Sequence, residues 1–187
     1  MPVTFSTWQF NFQFDIGTDL SSSESISMLQ EHGIDFARFA VDGIDPIDFG
    51  HLLVSSGLVY NDRIRYITYH GTYDFAYLMK AVRCRPLPTS AGEFLEELIH
   101  DIPHFIDIKN VAYDRQSLTK SGLSKLADEL NIIRIGAQHQ AGSDSLVTLM
   151  CFMALAGKGS INDLFNRYDG RIYGIQTPRS MKGCRMR

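Results

Sequence analysis

The chain lacks the features that define several large classes of protein. Cysteine is scarce: Cys84, Cys151 and Cys184 are far apart, with no Cys-x-x-Cys pair and no Cys/His spacing of a zinc site. A disulfide framework is therefore excluded, and a reducing compartment is implied. No apolar run approaches the roughly 18 residues of a membrane-spanning helix, and Met1 to Thr7 has neither the basic nor the apolar region of a signal peptide. Positive charge is not in excess either: 18 Lys and Arg stand against 21 Asp and Glu, for a net charge of −3. Such a chain has no field with which to coat nucleic acid indiscriminately, so a nucleic-acid partner has to be held in a local site. Neither glycine-rich nucleotide loop occurs, which argues against ATP, and no Gly-x-Ser-x-Gly elbow occurs, which argues against a serine hydrolase.

What is present is enough apolar material for one core: 187 residues, 44% of them hydrophobic. The reading is a soluble intracellular protein without membrane contact.

Trp8 to Phe14 alternates bulky apolar and polar residues, the period of a strand with one buried face. Ser21-Ser22-Ser23 caps a helix that stops at Gly33, and Asp45-Pro46 opens another that closes at Ser55-Ser56-Gly57. Arg65 to Tyr69 is β-branched and aromatic and predicts a strand, followed by a helix over Tyr73 to Arg83. Ser90 caps a helix carrying Phe94, Leu95, Leu98, Ile99 and Ile102, and His104 to Ile108 is a short apolar strand. Leu123, Leu126 and Leu130 mark a helix, Ile132 to Ile135 a strand, and Ser143 to Ala156 a long apolar helix that belongs inside the domain. Strands alternating with helices imply an α/β fold. Beyond about Gln176 the sequence is basic and aperiodic and reads as a loose tail.

The polar residues of interest sit where an α/β sheet builds its sites, at the carboxyl ends of strands. Asp74 follows the strand ending near Tyr69 and lies in the first turn of a helix. Asp144 lies in the first turn of the apolar helix, five residues after His139, which ends the strand before it. A carboxylate in a first helical turn commonly does no more than offset the helix dipole or cap free N–H groups, and a lone histidine is commonly a hydrogen-bonded structural residue. The spacing His139-Gln-Ala-Gly-Ser-Asp144 adds a second possibility. Gly142 permits a tight turn, so that a base and a metal carboxylate can share one water molecule. Ser143 and Ser145 read as helix caps, while Asp107 and His70 lie at strand ends in either supporting or purely structural roles.

At "WQFNF", "YDFAYLMK" and "HQAGSDSLVTLM", in this order and separation, the sequence resembles the Caf/Pop family, the nuclease subunit of the eukaryotic messenger-RNA deadenylase complex. The similarity runs from about Thr7 to Gly174 through "GIDF", "LLVSSGLV" and "GLSKLADEL".

The resemblance implies a ribonuclease H-like mixed sheet flanked by helices, of the DEDD exonuclease superfamily, over residues 1–175, with 176–187 as a basic, disordered tail. It implies poly(A)-specific 3′–5′ exoribonuclease activity, with divalent metal ions, Mg2+ foremost and Mn2+ possible, as cofactors. Asp74 and Asp144 would be the metal ligands and His139 the base. The partners implied are the 3′ end of poly(A) RNA and the scaffold and second nuclease of the complex, in cytoplasm and nucleus. The residue types suit the chemistry. Two ions about 4 Å apart clamp the attacking and leaving oxygens of a phosphodiester displacement, hard cations prefer carboxylate oxygens, and imidazoles exchange protons near neutrality.

The family's first motif, Asp-x-Glu, precedes the "WQFNF" strand, and no Asp-x-Glu occurs in this sequence; Asp15 and Asp19 come after that strand. The chain is therefore read as N-terminally truncated relative to the family. It is either a shortened form of an active enzyme or a catalytically silent copy serving as an interaction module of the complex. "YHGTYDF" also departs from the serine-glycine pair usual before Tyr-Asp-Phe, so no substrate contact is assigned to Thr72.

Overall fold

The computed structural model describes residues 7–115, 118, 122–157 and 160–175. The basic tail predicted for residues 176–187 lies outside them. Helices α1 (Ser23–Glu31), α2 (Phe36–Asp42) and α3 (Pro46–Ser55) come first. They are followed by β1 (Tyr66–Thr68), α4 (Thr72–Arg83), α5 (Ala91–Asp101), β2 (Phe105–Asp107), α6 (Ile108–Asp114), α7 (Leu123–Glu129), α8 (Ala141–Ala156) and α9 (Ile161–Tyr168). Local chemistry sets many of these starts. The side chains of Ser22, Asp45, Ser90 and Ser160 each accept a backbone N–H from the first turn they open, and Pro46 follows its capping carboxylate directly.

The strands pair in parallel, Tyr66 opposite Phe105, Ile67 opposite Ile106 and Thr68 opposite Asp107. Parallel pairing needs a crossover, and α4 and α5 supply it. Because a strand alternates its faces, the pair divides the interior. Phe105 packs with Leu53, Phe75, Met79, Leu95 and Leu98 beneath α3, α4 and α5, whereas Ile106 packs with Val111, Leu126, Val147, Cys151 and Leu155 on α6, α7 and α8. This is the helix-flanked α/β arrangement that the alternating pattern predicts.

Two predicted strands are corrected. Trp8 to Phe14 is extended but, among the described residues, joins a neighbour through a single parallel bridge, Phe12 to Ile44. Its alternation has another cause: Phe10 and Phe12 rest on the Phe49 ring, with centroids 5.3 and 4.9 Å away, and Phe14 rests on Phe36 at 5.4 Å, while Trp8 is 84% exposed. Ile132 to Ile135 also forms no ladder among the described residues. The Ile132 amide is taken by the Ala127 carbonyl at the end of α7, at 2.8 Å, and Ile133 is 82% exposed. The short helices α2, α6 and α9 went unread in the sequence. Each is seven or eight residues long, about two turns, and too brief for a periodic apolar stripe to stand out.

Asp107, at the end of β2, is fully buried and accepts four backbone N–H groups: His70 at 2.7 Å, Gly71 at 3.1 Å, Lys109 at 3.1 Å and Tyr173 at 3.0 Å. One carboxylate thus ties the turn after β1, the start of α6 and the C-terminal segment together. Its role is structural. His70 has φ 59°, a left-handed conformation that costs a β-carbon-bearing residue about 1 kcal/mol or more, and the short bond to Asp107 holds it there. Even the isosteric Asp107→Asn turns one acceptor oxygen into a donor facing two N–H groups. It is expected to destabilise the fold by about 3 kcal/mol or more, measured by urea unfolding followed by circular dichroism.

Candidate active site

β1 ends at Thr68, the Asp107-held turn His70-Gly71 reverses the chain, and α4 begins, placing Asp74 in its first turn. The sequence left open a capping role for Asp74; the N-cap of α4, Gly71, has no side chain to cap with, and the backbone amide facing the Asp74 carboxyl is its own. Asp74 is exposed at its surface edge, yet the atoms packed on its inner side remove enough water to push its pKa above the ordinary carboxylate value. The Asp107 charge adds to the rise, and the backbone amide of Asp74 and the nearby His70 oppose it.

α8 begins at Ala141, two residues earlier than the sequence suggests, with Asp144 in its first turn and likewise no side-chain cap. Instead, Asp144 Oδ1 accepts Arg134 Nη1–H at 2.5 Å. The serines are not caps either. Ser143 Oγ donates to the Ile135 carbonyl at 2.8 Å and Ser145 Oγ to the Ala141 carbonyl at 2.7 Å. His139 lies in a turn rather than at a strand end, with φ 62°, and its ring meets His32 edge-on with centroids 4.6 Å apart. The next residue, Gln140, donates its side-chain amide to the His32 carbonyl at 2.7 Å, so the end of α1 is pinned against the turn that carries His139.

The "WQFNF" segment reaches the same place. Gln9 Oε1 accepts the Gly142 amide at 2.9 Å, and the Thr7 side chain packs close over the same Cα, where a β-carbon would sit 2.9 Å from Thr7 Oγ1. Asp15 and Asp19, in contrast, close a local turn: the Asp15 amide donates to Asp19 Oδ2, and Asp15 Oδ1 accepts the Gly17 amide.

Asp74, His139 and Asp144, contributed by distant stretches of chain, line one open cavity of about 800 Å³ together with Thr68, Tyr69, Ser124, Arg134 and Thr148. Arg134, Thr68 and His32 carried no sequence signal of their own, because none belongs to a spaced polar motif. Burial pushes the Tyr69 hydroxyl up to about 12, with the Asp107 charge adding to it, so this wall of the cavity stays neutral.

Among the described residues no group of three or more His, Cys, Asp or Glu stands close enough to cage a metal ion. The donors nevertheless suit a hard, largely hydrated cation. Magnesium commonly takes one or two carboxylates and fills its remaining positions with water and substrate phosphate, and Asp74 and Asp144 are two carboxylates on one cavity. Thr68 also lines the cavity, but its Oγ1 is buried against Gly71 and reaches no hydrogen-bond partner.

A helix-flanked sheet with polar side chains gathered at the carboxyl end of β1 and the start of α8 is the ribonuclease H-like class of nuclease fold. Comparison with known proteins agrees. The solved structure of Schizosaccharomyces pombe Pop2p in its Mg2+ and Mn2+ bound form superposes with a TM-score of 0.83 at 41% identity, covering 89% of this chain and 66% of that one. The structure of a yeast NOT1 MIF4G domain with CAF1 gives 0.73 at 33% identity, over 89% and 66%. Among curated proteins, poly(A) ribonuclease pop2 of S. pombe is 41% identical over 180 residues, 96% of this chain and 53% of its own length. The probable CCR4-associated factor 1 homolog 10 of Arabidopsis thaliana is 43% identical over 175 residues, 91% of this chain and 61% of its own. No family profile matches the chain. The chain belongs to the Caf/Pop family, and it spans a little more than half of the length of the curated relatives it matches.

The raised pKa of Asp74 yields a prediction with a definite sign. A carboxyl that holds its proton more tightly in the folded state makes folding progressively less favourable as pH rises from the unfolded to the folded pKa, and the penalty is complete above both. In metal-free protein, Asp74→Asn should therefore raise the melting temperature at pH 7, and the gain should vanish as the pH is lowered to where the wild-type carboxyl is protonated. Thermal melts across that range check it.

Proposed function

We propose that the chain is a poly(A)-specific 3′–5′ exoribonuclease that hydrolyses the terminal phosphodiester with two divalent ions, working within a multi-subunit deadenylase complex of the cytoplasm and nucleus. The observation that carries this reading is that two carboxylates and an imidazole from distant segments line one cavity. The membership in a family whose relatives include a poly(A) ribonuclease supports it.

In this reading Asp74 and Asp144 would hold Mg2+ or Mn2+, and such ions would offset the negative charge that builds on the phosphate. His139 takes the proton of the attacking water, positioned by the left-handed turn and by the His32 ring against it. Asp107 acts indirectly, by fixing the backbone that leads into α4. The cavity is open at the surface, which suits entry of a single-stranded 3′ end. A scaffold with a NOT1-like MIF4G domain is the partner class suggested by the CAF1 neighbour.

A second reading is favoured by one observation. Arg134 engages one of the two carboxylates, so the chain can instead serve as a catalytically silent interaction module of that complex.

The test is incubation with a 5′-labelled oligoadenylate and Mg2+. The assay uses the chain alone and the chain joined to the N-terminal segment of the S. pombe relative that precedes the matched region. Stepwise shortening by either form supports the enzyme. No shortening by either, together with capture by the scaffold domain, supports the interaction module. In the active form, His139→Ala should slow cleavage by about a hundredfold or more, as removal of a general base does. Asp74→Asn and Asp144→Asn should abolish Mn2+ binding measured by calorimetry; unchanged affinity in both would remove them from the site.

A further inference from the structure

Arg134 is the one Lys or Arg among the described residues that line the cavity, and it is firmly built in. Its Nη1 donates to Ser143 Oγ at 3.1 Å and to Asp144 Oδ1 at 2.5 Å, and its Nη2 donates to Ser124 Oγ at 3.2 Å. The two serines come from the starts of α7 and α8, so the guanidinium bridges both helices, and its side chain is only 19% exposed. Ser143 is held in turn. Its hydroxyl proton goes to the Ile135 carbonyl at 2.8 Å, which leaves a lone pair aimed at Arg134. Gly136 beside it has φ +87°, and a β-carbon there would press on the Ser143 side chain at 3.2 Å. The strand-like alternation around Ile133 and Ile135, both exposed, has the effect of turning Arg134 inward.

A permanent positive charge held on Asp144 has a direct consequence for cation binding. A divalent ion on the same oxygen, Oδ1, lies about 2 Å from it and therefore within about 5 Å of the guanidinium nitrogen, a distance at which like charges repel appreciably in a partly desolvated site. We propose that Arg134 is the resident counter-cation of the cavity: it neutralises Asp144 while no divalent ion is bound, and an ion that takes Oδ1 has to displace it. The serine tethers on α7 and α8 then act as the parking place for the displaced guanidinium. This inference rests on the reading of Asp144 as a metal ligand and goes beyond it, since it makes metal affinity a balance between two competing cations.

Arg134→Met removes the charge and the fork while keeping the length of the chain. Calorimetric titration of the metal-free protein with Mn2+ should show Arg134→Met binding about three- to tenfold more tightly than wild type, the size expected for release of one partly exposed ion pair and its repulsion. Equal or weaker binding by a folded variant overturns the proposal. Should that variant fail to fold, the wild type decides. The ¹⁵N guanidinium resonance of Arg134, assigned by its loss in Arg134→Lys, should shift on saturation with Mg2+, and an unmoved resonance counts against displacement. Asp144→Asn separates the two layers of argument. If it binds Mn2+ as the wild type does, Asp144 is not a ligand and the underlying reading fails. If it loses binding while Arg134→Met stays at the wild-type value, only the role given to Arg134 falls.

Discussion

The carboxylate of Asp107 is the interaction on which the rest of the structure depends. It has no contact with bulk water, and a buried charge of that kind persists only if its lone pairs are saturated. Four backbone amides saturate them, and these belong to the turn after β1, the first turn of α6 and the segment around Tyr173. The sheet is only two strands wide among the described residues, so hydrogen bonds of the ladder cannot by themselves fix where each strand ends. Asp107 does so, and by ending β1 at a defined point it sets where α4 starts and hence where Asp74 stands.

The candidate site inherits its shape from the two half-cores. Phe105 and Ile106 point to opposite faces, and the helices packed on those faces approach each other at the carboxyl end of β1, leaving the cavity between α4, α7 and α8. Such crevices are where open α/β sheets place their ligands, because strand ends there present loops and helix N-termini rather than continuous backbone pairing. Here the crevice holds carboxylates of different character. Asp74, though exposed, holds its proton more tightly than usual because of partial desolvation, whereas Asp144 is compensated by an arginine that two serines keep in place. A divalent cation would relieve the first and would compete for the second.

Much of the fold was legible where the chemistry is local. Asp45-Pro46, Ser90 and Ser22 name their helices because a cap needs only a side-chain oxygen a few residues from free N–H groups. Arg65 to Tyr69 and His104 to Ile108 were legible as strands from their β-branched and aromatic content. Trp8 to Phe14 and Ile132 to Ile135 misled because alternation reports which side chains face the protein, not whether a neighbouring strand is there to pair; the first lies on Phe49 and Phe36, and the second is anchored by the end of α7. Of the site, Asp74, His139 and Asp144 were legible through their spaced motifs, while Arg134, His32 and Thr68 were not, since their places depend on contacts with α1, α7 and α8.

The sequence by itself determined the α/β order of elements, the family and the polar residues worth testing, because capping, periodicity and motif spacing act over a few residues. Tertiary structure alone decided that Asp107 is a buried structural hub, that Ser143 and Ser145 do not cap α8, and that Asp144 is held by Arg134. Those outcomes turn on which donors and acceptors meet once water is expelled, and a partner chosen across the fold leaves no trace in the spacing of either residue.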